Sequence, residues 1–108
     1  MPDEFLGPFQ GVWDAWIEVQ EQIERKPISH FERAVQIQFD ELRDHLATGD
    51  REAAAREMVD VMSIALNTLR KLGFSPKEIA EIARDRAANR MAGQAQKILG
   101  KYETVHQI

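Results

Sequence analysis

Two short segments of this sequence carry oxygen-bearing side chains at a spacing suited to metal or phosphate chemistry: Gln38-Phe39-Asp40-Glu41 and Glu57-Met58-Val59-Asp60. On a helix, residues three apart share one side, so Gln38 stacks with Glu41 and Glu57 with Asp60. Gly49 lies midway between the segments. A helical hairpin folded at that glycine sets Glu41 level with Glu57 and Gln38 level with Asp60, about 12 Å from the turn. Three carboxylates and an amide are therefore expected to meet. Round the helical wheel Gln38 falls inside an apolar arc, between Val35 and Leu42. Glu41 lies at the edge of that arc, Glu57 beside Val61 and Ile64, and Asp60 nearer the polar stripe. Carboxylates crowded into a partly apolar seam repel one another and lose hydration, so they call for protons, cations or a metal. An oxygen-only set with no cysteine favours Mg²⁺, with Mn²⁺ as the alternative, over Zn²⁺. The plainer expectation is a set of surface ion pairs, for which Arg33, Arg43 and Arg56 are at hand.

The elements that position these residues are expected to be four helices in a single all-α domain over residues 1–108. The first is predicted from Pro8 to Arg25, where Pro27 stops it; Val12, Trp13, Trp16, Ile17 and Ile23 recur at helical spacing. Ser29-His30-Phe31-Glu32 has the pattern of a capping box and predicts the start of the second helix, which ends near Thr48-Gly49. Asp50 is the expected cap of the third helix, which runs to about Leu72 before Gly73. Its apolar residues, Met58 to Leu72, wrap most of its circumference, which places it mid-bundle and calls for further cover. Ser75-Pro76-Lys77-Glu78 opens the fourth helix, which continues through Asn89, loosens at Gly93 and ends near Gly100. Residues 101–108 read as a tail.

Composition removes several classes of function. Hydrophobic residues make up 44% and charged residues 30%, the balance of a globular chain rather than a disordered one. The absence of cysteine excludes disulfides, thiolate metal sites and cysteine nucleophiles. No apolar run is long enough to span a bilayer, and Met1-Pro2-Asp3-Glu4 lacks the features of a secretion signal, so a cytoplasmic protein with no membrane role is expected. A net charge of −4 argues against a dedicated nucleic-acid binder. No phosphate-binding glycine loop, serine-hydrolase elbow or zinc-protease helix is present.

The stretch from Gln38 to about Asn89 resembles the all-α NTP pyrophosphatase superfamily, and its MazG-like members in particular. Glu57-Met58-Val59-Asp60 matches the E-x-x-D of that family's second acidic helix. It is followed by Val61-Met62-Ser63-Ile64-Ala65-Leu66 and then Lys71-Leu72-Gly73-Phe74. Phe39-Asp40-Glu41-Leu42 is similar to the second half of the preceding E-x-x-E, and Arg84-Asp85-Arg86-Ala87-Ala88-Asn89-Arg90 to the Asn-containing stretch of the last helix. Gln38 departs from the pattern by standing where the family has its first Glu. That replacement removes one negative charge from the metal site, and Asp44, the candidate to restore it, points outward on the wheel.

The resemblance implies hydrolysis of an NTP or dNTP to the monophosphate and pyrophosphate. Mg²⁺ would be held by Glu41, Glu57, Asp60 and Gln38. Glu41 is the expected proton acceptor, and Lys71, Arg84, Arg86, Asn89 and Arg90 would touch substrate. It also implies a homodimer or a dimer of dimers. Trp16 is a candidate platform for a base, although Trp13 and Trp16 at helical spacing more often fill a core. His45, one turn after Glu41, is expected to be a packed or surface histidine with a lesser claim to tuning a carboxylate. Gln38 motivates a second reading, a catalytically silent helical dimer that binds a nucleotide or a protein partner.

Overall fold

The computed structural model describes residues 5–108, all of whose regular structure is helical. The reading of Met1–Glu4 lies outside the described residues. Helix α1 (Phe9–Ala15) leads through a 3₁₀ turn (Ile17–Val19) into α2 (Gln20–Arg25). Two long helices follow, α3 (Ile28–Ala47) and α4 (Arg51–Lys71), and then α5 (Pro76–Asn89), a π-type turn (Arg90–Gln94) and α6 (Ala95–Thr104). These form four helical limbs. Among the described residues no helix is long and apolar enough to cross a membrane.

The α3–α4 hairpin is the frame. Gly49 takes a left-handed φ of 76°, a conformation open to glycine at little strain, and the amides of Gly49 and Asp50 close on the carbonyls of Leu46 and His45 at 3.1 and 2.9 Å. Asp50 then caps α4 as expected, its Oδ1 accepting the Ala53 amide at 3.0 Å. The Ser75–Glu78 capping box is likewise formed, with both reciprocal bonds present and Pro76 in the first turn. Helix α4 packs against α3, α2 and α1, and so lies centrally as its wide apolar arc predicts.

Three sequence expectations are corrected. The first helix is not continuous, because Trp16 (φ −100°, ψ 3°) and Val19 (φ −115°, ψ 19°) leave the helical region. At the break the Trp13 carbonyl accepts the Trp16 amide at 3.3 Å, a tightened i→i+3 turn, and also Nη2 of Arg70 from α4 at 2.6 Å. The second helix is not capped by Ser29. It begins one residue earlier at Ile28, with Pro27 (φ −72°, ψ 161°) in the cap position and no side-chain cap bond. Proline's fixed φ presets that start, which moves Ser29 into the first turn. The C-terminal stretch is helical through Thr104 rather than a tail from Lys101. A glycine inside a helix lowers its stability without ending it, and the helix runs straight through Gly100.

The core is thin. Trp13, Ile23, Phe31, Ala53, Ala54, Ile79 and Ala80 are buried, while Ile28, Phe39, Val59, Met62, Leu72 and Ile82 are exposed. The accessible surface is 8016 Å², against about 6,100 Å² for a compact monomer of this mass. The radius of gyration is 16.0 Å, against about 13 Å for a compact chain of this length.

Candidate active site

The hairpin register is the one the spacing predicts. The Glu41 carboxyl lies within hydrogen-bonding reach of Glu57, and Gln38 and Asp60 line one cavity. Glu57 is the most enclosed member, its side chain 13% exposed. Its pKa is raised above the usual glutamate value of 4.5, first by the hydrogen bond shared with Glu41, then by burial and by repulsion from Glu41 and Asp60. His45 acts in the opposite sense, with Nε2 at 3.6 Å from Glu57 Oε1. The histidine expected to be packing or surface thus faces the carboxylate pair.

Two of the three arginines that offered a plain ion-pair account are engaged elsewhere, and Arg56 forms no ion pair among the described residues. Arg43 and Arg33 reach Asp40 at 3.2 and 4.0 Å, and among the described residues neither Glu41 nor Asp60 pairs with a cation. Two buried acceptors in the seam, Glu57 Oε2 and Gln38 Oε1, have no hydrogen-bond partner. Buried polar atoms are nearly always satisfied, so orphaned oxygens of this kind fit a hard cation or a donor brought by a ligand. Among the described residues no group of three or more His, Asp and Glu closes to a metal-holding arrangement. The expected meeting of three carboxylates is therefore a close pair, Glu41–Glu57, with Asp60 acting on it at longer range.

A cavity of about 330 Å³ opens on the same hairpin, lined by Gln38 and Asp60 but not by Glu41 or Glu57, and walled further by Trp16, His30, Phe31, Ser63 and Asn67 among others. The break at Trp16 lays that indole, 39% exposed, along the cavity, whereas Trp13 turns into the core. Asn67 and Arg70 are the residues that sequence reasoning missed. Arg70 is 3% exposed and stacks 3.8 Å from the centre of the Trp13 ring; its Nη1 donates to Asn67 Oδ1 at 2.6 Å. An arginine only donates, so this bond fixes the amide orientation and leaves Asn67 Nδ2 as a free donor beside the cavity. Burial lowers the Arg70 pKa, but an arginine remains charged at neutral pH. The one sequence signal was placement, since an arginine three residues after an asparagine in the middle of an apolar arc must find partners.

The remaining candidates lie apart from this cavity. Lys71 Nζ donates to the Glu24 carbonyl at 3.0 Å and ties the end of α2 to α4. Arg84 is exposed on α5, Arg90 Nη1 donates to Asn89 Oδ1 at 2.6 Å, and Arg86 and Arg90 line a different cleft. In comparisons with known proteins, no family model, no curated protein and no solved structure matched the chain.

Proposed function

We propose that the chain is a Mg²⁺-dependent pyrophosphohydrolase of the MazG-like kind, which converts an NTP or dNTP to the monophosphate and pyrophosphate. The observation that carries this reading is the Glu41–Glu57 carboxyl pair, held in register across the hairpin with Glu57 Oε2 and Gln38 Oε1 unsatisfied. Glu41 and Glu57, with the Gln38 amide, are the residues that would hold the metal, and Asp60 lines the neighbouring cavity. Mg²⁺ (or Mn²⁺) supplies charge neutralisation to the phosphates when bound. Glu41, the more exposed partner, accepts the proton of the attacking water, while the Glu57 carboxylate stays shielded and directed by His45. Trp16 offers a stacking face, and Asn67 Nδ2 a hydrogen-bond donor, to the base.

Self-association as a homodimer or a dimer of dimers is part of the proposal. It is supported by the surplus of about 1,900 Å² over a compact monomer, as much as a large interface removes from each subunit. The apolar groove of Ile28, Val35, Ile64, Ala65 and Leu69 is the face for it.

Gln38 and the absence of a three-acid cage among the described residues favour a second reading, in which the same cavity binds a nucleotide without cleaving it. A panel of NTPs and dNTPs incubated with wild type and Gln38→Glu separates the two. Turnover by wild type supports the hydrolase. Turnover by Gln38→Glu alone leaves a binding protein. If neither variant turns over and calorimetry with Mg²⁺ and an α,β-methylene triphosphate gives no heat, both readings fail.

A further inference from the structure

Arg86 of α5 and Arg90 of the π-type turn do not line the carboxylate cavity; they line a cleft shared with α6. Along an unbroken helix Arg86 and Lys101, fifteen residues apart, would stand about 22 Å from one another. Instead they line one cleft of about 390 Å³ together with Arg90, Ile98, Tyr102 and His106. The break that folds α6 toward α5 lies at Ala92 (φ −82°, ψ 20°) and Gly93 (φ 94°).

We propose that this cleft is a binding site for a phosphate-rich anion of mononucleotide size, separate from the carboxylate cavity and independent of the hydrolase reading. Charge is the first reason. Residues 84–108 carry five Lys and Arg against two acids, a net +3 on a chain whose net charge is −4. Among the described residues Arg86, Arg90 and Lys101 form no ion pair, so no carboxylate of those residues neutralises them directly. Guanidinium forks and an ammonium converging on one cleft are the donors that phosphoryl oxygens take in charge-assisted hydrogen bonds. Shape is the second reason. The Arg90 guanidinium is held by Asn89, and Tyr102 and His106 stand 5.9 Å apart with their rings tilted by 48°. The two rings form an aromatic wall against which a base can lie. The cleft and the carboxylate cavity share no lining residue.

The glycine makes the site testable without touching its cations. A Cβ at Gly93 meets nothing within 4 Å, so Gly93→Ala acts only by disfavouring a φ of 94°, which pulls α5 and α6 toward one straight helix and opens the cleft. The experiment is calorimetric titration at low salt in EDTA, with inorganic triphosphate and with ATP, into wild type, Arg86→Glu/Lys101→Glu, Gly93→Ala and Glu57→Gln. Circular dichroism checks that each variant is helical.

Saturable binding by wild type and Glu57→Gln is expected, weakened about tenfold or more by charge reversal and by Gly93→Ala. Absence of binding to wild type, or binding that charge reversal leaves intact, overturns the proposal. Loss of binding in Glu57→Gln, a residue outside the cleft, would place the anion away from the cleft and overturns it equally. Binding of a single-stranded oligonucleotide where triphosphate and ATP fail would make the ligand a nucleic acid and also refute the proposal. Since the titration contains no divalent metal, its failure leaves the hydrolase reading untouched.

Discussion

Replacing Arg70 with Ala should unfold this protein more readily than any surface change, and the size of the effect follows from what the guanidinium touches. It donates 2.6 Å bonds to the Trp13 carbonyl and to Asn67 Oδ1, and lies 3.8 Å from the centre of the Trp13 ring. Hydrogen bonds from a charged donor contribute about 1.5–3 kcal/mol each, and a desolvated cation over an indole about 2 kcal/mol. Against these stands the Arg70 Nε, buried without a partner, which costs about 1–3 kcal/mol, together with the desolvation that lowers the arginine's pKa. The net loss for Arg70→Ala is about 3 kcal/mol, a large part of the roughly 5–15 kcal/mol that holds a domain together. For a chain of this length that corresponds to a fall in Tm of about 13 °C. Urea denaturation followed by far-ultraviolet circular dichroism measures it, at one fixed chain concentration because self-association feeds into apparent stability. Arg70→Lys keeps the charge but not the fork, and should fall between wild type and Arg70→Ala. A loss below about 1 kcal/mol for Arg70→Ala would refute the reasoning, since two charged bonds and a stacked ring cannot all be worth so little.

Three further outcomes follow from the same structure. Because Glu57 titrates above 4.5 in the folded protein, the folded state holds more protons than the unfolded one between that value and the raised pKa. Metal-free stability should therefore fall as pH rises through this window, and Glu57→Gln should flatten that slope in pH-dependent urea melts; an unchanged slope contradicts the assignment. Asp50→Ala removes the cap on Ala53 and should lower stability by about 1 kcal/mol in the same melts, with no change in nucleotide binding. Ile28→Glu and Ala65→Glu charge two exposed positions of the apolar groove and should shift light scattering toward the monomer. Unaltered mass in both would place the interface elsewhere.

The hairpin was legible because its determinants are local. Asp50 caps because its side chain reaches an amide three residues away, and Glu41 meets Glu57 because two helices joined by a short turn leave no choice of register. Gln38 was placed in the apolar arc by periodicity alone, and it is half-buried with its Oε1 out of water. What the sequence concealed depends on distant partners. The break at Trp16 lies where Arg70, fifty-seven residues beyond Trp13, donates to the Trp13 carbonyl, a partner that local spacing does not reveal. The Ser29 pattern looked like a cap, but Pro27 had already turned the chain into helix. The cations of residues 84–90 resembled substrate ligands in one dimension, and a backbone turn at Gly93 brings α6 beside Arg86 and Arg90 to form a different cleft.

The central claim is that the Glu41–Glu57 pair cleaves nucleoside triphosphates. ³¹P nuclear magnetic resonance of an NTP and dNTP panel, with and without Mg²⁺, tests it most directly on wild type, Glu41→Gln and Glu57→Gln. Paired monophosphate and pyrophosphate signals are expected from wild type with Mg²⁺, and their loss in both variants. Intact triphosphates throughout, or pyrophosphate release that survives both substitutions, would contradict that claim.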